Sequence, residues 1–372
     1  MSDLQEQVQR LIDTAVADGA ERGVQVAVYR NGEQVVDAVA GQADPATGRA
    51  MTTDTPVYVA STAKGVTATL AHVLVERGFL DYDTPVAKVW PEFGAHGKGG
   101  VTLHHVLTHT AGVPAVPADT TAEKLCDWDG MCRTIAESEP LWAPGEQAGY
   151  HAATFGYLVG EIVRRTTGKP ASQALREYVA APLGFERELF FSVPAAELPR
   201  VARLEDDPAG TAAFAGLPDE WPLFQVAPRR IIPRAELGNR TDILTHDMPF
   251  HGVVTARAIA GMYAALLGEV GGVRLISPAR LAEATTLATD GLDDQSTGGP
   301  ATYGLGYLLG GPGARPAADG SATMFGFVGI GGTGAYADRA TGVSFAVTKN
   351  RMNPVDATVA EQVGAMVAEA YS

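Results

Sequence analysis

Ser61 and Lys64 are the residues of this sequence whose types and spacing are best suited to covalent chemistry. They form the only Ser-x-x-Lys in the chain and open an apolar stretch that is typical of a helix. Residues three apart share a helix face, so the lysine amine can take the serine's proton once burial lowers its pKa. The first turn of such a helix also presents backbone N–H groups to a developing oxyanion. The pattern indicates acyl transfer through serine; the alternative is a capping serine beside a solvated lysine.

Other sequence patterns for catalysis are missing or weak. Gly-x-Ser-x-Gly, His-Glu-x-x-His and Gly-x-x-x-x-Gly-Lys-Ser/Thr do not occur. The glycine-rich stretch 324–336 lacks the following helix and acidic residue of a dinucleotide-binding loop. His104, His105 and His109 are not followed by a third ligand at metal-binding spacing. We therefore expect neither a metal ion nor a cofactor.

The elements that must position Ser61 and Lys64 are visible as apolar patterns. Strands are predicted on both sides of Asn31-Gly32, a strong signal for a hairpin turn, and again in the last third of the chain. The Pro- and Gly-rich stretch 208–222 predicts a loop. The predicted helices cover residues 4–18, 61–79, 101–107, 155–167, 171–179, 255–267 and 354–371, and the late strands lie within 302–311, 321–338 and 342–350.

Strands at both ends with helices between them predict one sheet that is built from both chain ends. We expect residues 1–80 and 255–372 to form an α/β domain, and residues 81–254 to form a mainly helical inserted domain.

Composition narrows the function classes. The 372 residues carry a net charge of −15, which argues against a nucleic-acid partner because phosphate contacts need a basic face. The sequence contains no stretch of 18 or more apolar residues, so we expect no transmembrane helix. The acidic, amphipathic N-terminus does not resemble a signal peptide. We expect a cytoplasmic protein with a small-molecule partner and no membrane partner; the oligomeric state is not indicated.

Four blocks of sequence resemble one family when they are taken together. They are Ser61 to Lys64, Leu-Thr-His-Thr-Ala-Gly-Val-Pro at 107–114, Pro-Gly at 144–145 followed by Tyr150, and Gly-Phe-Val-Gly-Ile-Gly-Gly at 326–332. This order is similar to that of the serine β-lactamase-like family, and most of all to its family VIII carboxylesterases. The resemblance implies an antiparallel sheet flanked by helices, an inserted helical domain, and an active site in the cleft between them.

The resemblance also implies roles for individual residues. Ser61 would be the nucleophile, Lys64 its partner, and Tyr150 the tyrosine that shares the proton transfers. The backbone N–H groups of Ser61 and Ile330 would form the oxyanion hole. Gly329 would allow the close backbone approach that a substrate along this strand needs.

Two departures from the β-lactamase pattern bear on the substrate. Phe327 stands where those enzymes have the lysine of Lys-Thr-Gly, and Ala152 stands where they have an asparagine. A buried carboxylate without a cation is costly, so these positions favour a neutral, fairly apolar ester. His151, beside Tyr150, is a further candidate for the site, although adjacent side chains rarely face the same way. If a carboxylate does bind, the basic run at 229, 230 and 234 is the first candidate for its partner.

The sequence thus predicts a serine carboxylesterase that forms an acyl-enzyme on Ser61. Two alternatives retain that acyl-enzyme: an acyltransferase or transesterase that replaces water with another acceptor, and a β-lactamase or peptidase. The missing lysine and asparagine disfavour the second of these. A non-catalytic binding protein on the same fold is a fourth interpretation, against which the intact Ser61, Lys64 and Tyr150 argue.

Overall fold

A computed structural model describes residues 3–371 of the chain. The strands are β1 Gly23–Arg30, β2 Glu33–Asp44, β3 Arg49–Ala50, β4 Val57–Tyr58, β5 Leu189–Phe190, β6 Glu205–Asp206, β7 Val253–Val254, β8 Leu308–Leu309, β9 Met324–Gly329, β10 Thr333–Asp338, β11 Val343–Lys349 and β12 Arg351–Met352. The helices are α1 Asp3–Ala17, α2 Ala63–Glu76, α3 Val86–Val89, α4 Leu103–Leu107, α5 Ala122–Cys126, α6 Trp128–Glu137, α7 Thr154–Thr167, α8 Ala171–Leu175, α9 Pro208–Ala215, α10 Pro222–Val226, α11 Ala235–Gly238, α12 Thr241–Thr245, α13 Ala256–Leu267, α14 Pro278–Ala284 and α15 Thr358–Ala370. A 3₁₀ turn at Ala60–Thr62 leads into α2, and another spans Arg229–Ile231.

The main sheet has seven strands in the order β3-β2-β1-β11-β10-β9-β8, and all of its neighbouring strands are antiparallel. Strand β1, from the start of the chain, pairs with β11, from its end. The predicted hairpin turn is present, with positive φ angles of 48° at Asn31 and 84° at Gly32. This conformation suits the type I′ turn that Asn-Gly favours.

The sheet is covered on both faces, which explains why β1 and β11 consist almost entirely of buried residues. Helices α1 and α15 pack together over one face, where their apolar side chains form a single core cluster with β1, β2 and β11. Helix α13 packs against β1, β10 and β11 on the other face and joins the larger core. The sheet therefore forms a rigid support for the elements that hold Ser61.

Helix α2 runs through the larger core, and every residue from 63 to 75 is buried. The segment that leads into it passes through a small second sheet in the order β4-β7-β5. Strand β4 ends at Tyr58, so this sheet fixes the chain two residues before the 3₁₀ turn that carries Ser61. No helix within residues 3–371 has the length and apolar character needed to cross a bilayer.

Three sequence predictions of local structure need correction. Residues 302–311 form only the two-residue strand β8, because glycines at 306, 310 and 311 adopt positive φ angles that interrupt a ladder. The loop predicted at 208–222 contains helix α9, which Pro208 opens in its first turn and Asp207 caps through Gly210 N–H at 2.7 Å. The helix predicted at 61–79 begins as a 3₁₀ turn.

The predicted domain boundaries stay a prediction. The seven strands of the main sheet do come from residues 23–50 and 308–349, and most of the helices between lie in 81–254. Residues 1, 2 and 372 of the predicted α/β domain lie outside the described residues.

Candidate active site

The turn that carries Ser61 is strained and held from several sides. Ala60, which precedes it, has a positive φ of 47°, a conformation that costs a non-glycine residue about 1 kcal/mol or more. Val59 N–H donates to Gly252 C=O at 2.9 Å, and the Thr333 hydroxyl donates to Val59 C=O at 3.0 Å. These contacts with the small sheet and with β10 keep Ser61 in one position at the start of α2.

Lys64 lies directly beside the nucleophile predicted for the site. Its Nζ is 3.1 Å from Ser61 Oγ, and the side chain is completely buried. Among residues 3–371 no carboxylate forms an ion pair with it. Burial therefore holds the pKa of Lys64 well below its ordinary value, which favours the neutral amine that a general base requires.

Tyr150 lies near the same pair of residues. Its phenol is close enough to the Ser61 hydroxyl for that group to influence its pKa, and Lys64 Nζ lies 4.8 Å from the centre of its ring. Burial raises the pKa of Tyr150 above its ordinary value, and the hydrogen bond from Ser61 only partly offsets this effect. The lowered pKa of Lys64 and the raised pKa of Tyr150 suit Lys64 as the base and Tyr150 as a proton donor.

Asp294 is a positioning residue that the sequence analysis did not identify. Its buried carboxylate accepts hydrogen bonds from Tyr150 N–H at 3.1 Å, from Ser296 N–H at 2.8 Å and from the Tyr303 hydroxyl at 2.6 Å. On the other side of the loop, Gly149 N–H donates to His109 C=O at 3.0 Å. Two distant segments thereby fix the loop that carries Tyr150. The Asp293-Asp294 pair in the sequence gave no signal of this role.

Ser61 and Tyr150 open into a cavity of about 260 Å³. Three other predicted residues, Ala152, Phe327 and Ile330, also line it. The remaining lining residues are Ala153, Leu223, Ala227, Ile231, Ile232, Pro233, Phe250, His251, Thr297, Tyr303, Leu308 and Val328. The cavity is therefore mainly apolar, with a few polar groups among its lining residues, as is usual for a small-molecule site.

The lining contains no Lys, Arg, Asp or Glu. Phe327 is 1% exposed, and its ring stacks against Tyr150 with 6.3 Å between the ring centres. The arginines of the basic run do not line this cavity, although Arg229 and Arg234 line an adjoining pocket. Arg229 donates to Asp219 at 2.9 Å, and Arg234 is paired with Glu236 at 2.5 Å. A carboxylate in this cavity would therefore have no guanidinium or ammonium group on its wall.

Two predicted substrate-binding residues do not line the cavity. His151 is completely buried, and its ring nitrogens are hydrogen-bonded to backbone groups: Nε2 accepts from Val113 N–H at 3.2 Å, and Nδ1 lies 2.6 Å from Gly149 C=O. A Cβ at Gly329 would lie 2.4 Å from Val59 C=O and 2.7 Å from Thr62 Oγ1. Gly329 thus permits close packing of β9 on the turn that carries Ser61, rather than close approach of a substrate.

Most of the residues that line the cavity were not predicted from the sequence. One wall is formed by residues 223–233, which follow the stretch predicted as a loop. The sequence does contain a signal for this wall, because apolar residues cluster in Trp-Pro-Leu-Phe at 221–224 and in Arg-Ile-Ile-Pro at 230–233. Such apolar clusters outside regular strands and helices can mark the lining of a binding groove. His251, another missed lining residue, follows Phe250 and leads into β7.

Other parts of the described chain offer no competing chemistry. A larger open groove of about 1020 Å³ is lined by residues such as Phe79, Asp83 and Arg280, and contains none of the predicted site residues. Within residues 3–371, no cluster of three or more His, Cys, Asp or Glu side chains is arranged to hold a metal ion. The cavity beside Ser61 is thus the place where the predicted nucleophile lies next to the predicted proton-transfer residues Lys64 and Tyr150.

Comparisons with known proteins agree with this geometry. The β-lactamase family pattern matches residues 8–369. The chain is 35% identical over 348 residues to the Esterase/beta-lactamase LipL of Mycobacterium tuberculosis, a match that covers 89% of this chain and 77% of that protein. It is 33% identical over 191 residues to Esterase EstB of Burkholderia gladioli, which covers 47% of this chain and 48% of EstB.

The solved structures show the same relationship along the whole chain. A family VIII carboxylesterase superposes with a TM-score of 0.85 at 31% identity, covering 100% of this chain and 97% of the other. A penicillin-binding protein homologue from Caulobacter crescentus gives 0.84 at 33% identity, covering 100% and 98%. The predicted resemblance and the predicted β-lactamase-like fold are confirmed, and the chain belongs to the β-lactamase family.

Proposed function

We propose that this protein is a serine carboxylesterase that hydrolyses neutral esters through an acyl-enzyme on Ser61. The observation that carries the proposal is the meeting of Ser61 Oγ with the buried Lys64 amine at 3.1 Å and with the Tyr150 phenol, at the end of a cavity without charged lining residues. The esterases LipL and EstB and the family VIII carboxylesterase among its relatives support the same activity.

In the acylation step, Ser61 Oγ attacks the ester carbonyl carbon while its proton passes to Lys64 Nζ. The negative charge that develops on the carbonyl oxygen is stabilised by the backbone N–H groups of Ser61 and Ile330. Such donors are each worth about 3 kcal/mol in the transition state. As the bond to the leaving oxygen breaks, Tyr150 donates its phenolic proton to the alkoxide and regains one from the Lys64 ammonium.

Deacylation uses the same groups in the opposite direction. Water attacks the carbonyl carbon of the acyl-serine, and its proton passes to the neutral Lys64 amine. The bond to Ser61 Oγ then breaks, Ser61 recovers a proton through Tyr150 and Lys64, and a carboxylic acid leaves. The residues return to their starting protonation states, as a catalytic cycle requires.

The cavity supports a neutral substrate of modest size. By the family resemblance, Phe327 and Ala152 stand where β-lactamases have a cation and an amide. The residues within 223–233 that line the cavity are all apolar. Burying an unpaired carboxylate against such a wall costs several kcal/mol. We infer that the natural partner is a small-molecule ester, and a cytoplasmic location stays a prediction.

The experiment that tests this proposal compares two chromogenic substrates with the same enzyme preparation. We expect kcat/KM for a 4-nitrophenyl ester of a short fatty acid to exceed that for a chromogenic cephalosporin by at least about a hundredfold, since an unpaired buried charge costs several kcal/mol. A higher value for the cephalosporin would replace the esterase by the β-lactamase alternative.

A further inference from the structure

His251 is a buried titratable side chain that the catalytic steps above do not use. It is 5% exposed and belongs to the wall of the cavity that contains Ser61. Its neighbour Gly252 accepts the hydrogen bond from Val59 N–H at 2.9 Å, which places His251 beside the turn that carries the nucleophile. A polar side chain in this position can contact a ligand bound in the cavity.

The hydrogen bond between His251 and Tyr58 determines which ring nitrogen carries the proton. Nδ1 of His251 lies 2.8 Å from the Tyr58 hydroxyl, which is buried and has no other hydrogen-bond partner among residues 3–371. If Nδ1 carried the proton, the hydroxyl proton of Tyr58 would be buried without an acceptor, at a cost of about 1–3 kcal/mol. The arrangement that pairs every proton has Tyr58 O–H donating to Nδ1, so Nε2 carries the N–H.

The imidazole also stays neutral. Burial and the nearby Lys64 hold the pKa of His251 well below its ordinary value. Nε2 has no hydrogen-bond partner among residues 3–371. Besides Ser61 and Tyr150, two other polar residues line the cavity. The Tyr303 hydroxyl already donates a hydrogen bond to Asp294, and Thr297 is exposed to solvent. His251 Nε2–H is therefore an unpaired donor on a side chain that lines a mainly apolar cavity.

We propose that His251 Nε2–H binds an oxygen acceptor of the substrate, so that the preferred substrates are neutral esters with a second, uncharged oxygen near the scissile carbonyl. Ether, ketone and hydroxyl oxygens all qualify. This inference rests on the proposed esterase function and names its substrate class. A site with a buried donor discriminates against analogues that lack the acceptor, because the donor is then left unpaired.

The test uses two 4-nitrophenyl esters that differ only in one atom of the acyl chain. Methoxyacetate has an ether oxygen where butanoate has a methylene group, and the ratio of their hydroxide-catalysed rates corrects for intrinsic reactivity. The quantity measured is the corrected ratio of kcat/KM values, methoxyacetate over butanoate. A second pair, 2-methoxyethyl and butyl butanoate, asks the same question of the alcohol side.

Variants of His251 distinguish the effect of its N–H donor from the effect of its side-chain shape. His251→Phe removes the donor, and we expect it to lower the corrected ratio about fivefold to tenfold in one of the two pairs. His251→Gln, whose amide nitrogen can reach a similar place, should restore most of the ratio. His246→Phe, a change at an exposed histidine five residues earlier, is the control and should leave the ratio unchanged.

A ratio that is the same in wild type and His251→Phe for both pairs would overturn the inference. If His251→Phe does not fold, ¹⁵N NMR of the wild-type imidazole decides: a neutral Nε2–H tautomer supports the inference, and an Nδ1–H tautomer overturns it. Failure of the proposed function looks different, because wild type would then turn over neither member of either pair.

Discussion

The floor and the wall of the cavity are built in different ways. The floor, defined by Ser61, Lys64 and Tyr150, consists of side chains fixed by several elements at once: the main sheet, the small sheet and the segment around Asp294. The wall, defined by residues 223–233, consists of a short helix and a 3₁₀ turn that follow one another along the chain. The residues of this wall that line the cavity are apolar, whereas the three floor residues are polar.

This difference suggests that the floor determines the rate of the chemical step and the wall determines substrate selection. Proton transfer depends on distances near 3 Å, so the floor needs supports that tolerate little movement. The wall needs only a shape and an apolar surface, which many sequences can supply. Changes in the floor should therefore alter the rate of chemistry, and changes in the wall should alter which ester is chosen.

The largest effect is expected from the proton-transfer pair. Lys64→Ala and Tyr150→Phe should each lower kcat by about 10³-fold, the usual size for loss of a positioned acid or base. Because both groups act on the Ser61 hydroxyl, the double variant should be little slower than the worse single variant. The check is a double-mutant cycle on kcat for a 4-nitrophenyl ester; fully multiplicative losses would show that the two groups act separately.

A smaller effect on kcat is expected from a change in Asp294, which supports the floor through its hydrogen bond with Tyr150 N–H. Asp294→Asn keeps the size of the side chain but weakens its hold on Tyr150 N–H and on the Tyr303 hydroxyl. We expect kcat to fall about tenfold to a hundredfold, as displacement of a catalytic group does. If Asp294 acts through Tyr150, the same substitution in a Tyr150→Phe background should have much less effect. An equal loss in both backgrounds would assign Asp294 a role that does not involve Tyr150.

The pH dependence of the rate tests the protonation states of the floor. The pKa of Lys64 lies well below its ordinary value of 10.5, and the ammonium form cannot accept the Ser61 proton. On the acid side, kcat/KM should therefore rise about tenfold per pH unit and then level off once Lys64 is neutral. The raised pKa of Tyr150 predicts no fall until the solution is strongly alkaline. Lys64→Ala should abolish the rising limb; a limb that persists would belong to another group.

The smallest effect is expected in the wall. Ile232→Ala removes part of a buried side chain that lines the cavity, and the extra room should favour longer acyl chains. We expect the ratio of kcat/KM for hexanoate and butanoate esters to rise about threefold to tenfold, near the lower end of what a change of pocket size gives. Ile243→Ala, at a buried position outside the cavity, is the matched control and should lower stability without changing that ratio.

The same division explains what the sequence predicted. Ser61 and Lys64 are near one another in the chain, and a local motif is enough to bring them together; the hairpin at Asn31-Gly32 is local in the same sense. Asp294 contacts Tyr150, which lies 144 positions away in the chain, and His251 contacts Tyr58, which lies 193 positions away. No local sequence pattern predicts contacts over such distances. The orientation of His151 could not be predicted in this way, because its ring nitrogens lie against Val113 and Gly149 backbone groups that only the folded loop brings to it.

Intact-protein mass spectrometry after brief mixing with 4-nitrophenyl butanoate and an acid quench shows directly whether Ser61 is the nucleophile. We expect a mass increase of one butanoyl group, mapped by peptide digestion to Ser61. We also expect that Ser61→Ala, with an unchanged thermal unfolding curve, shows neither the adduct nor turnover, a loss of about 10⁵-fold or more. An adduct on any other residue, or wild-type turnover by Ser61→Ala, would contradict the central claim that Ser61 is the nucleophile.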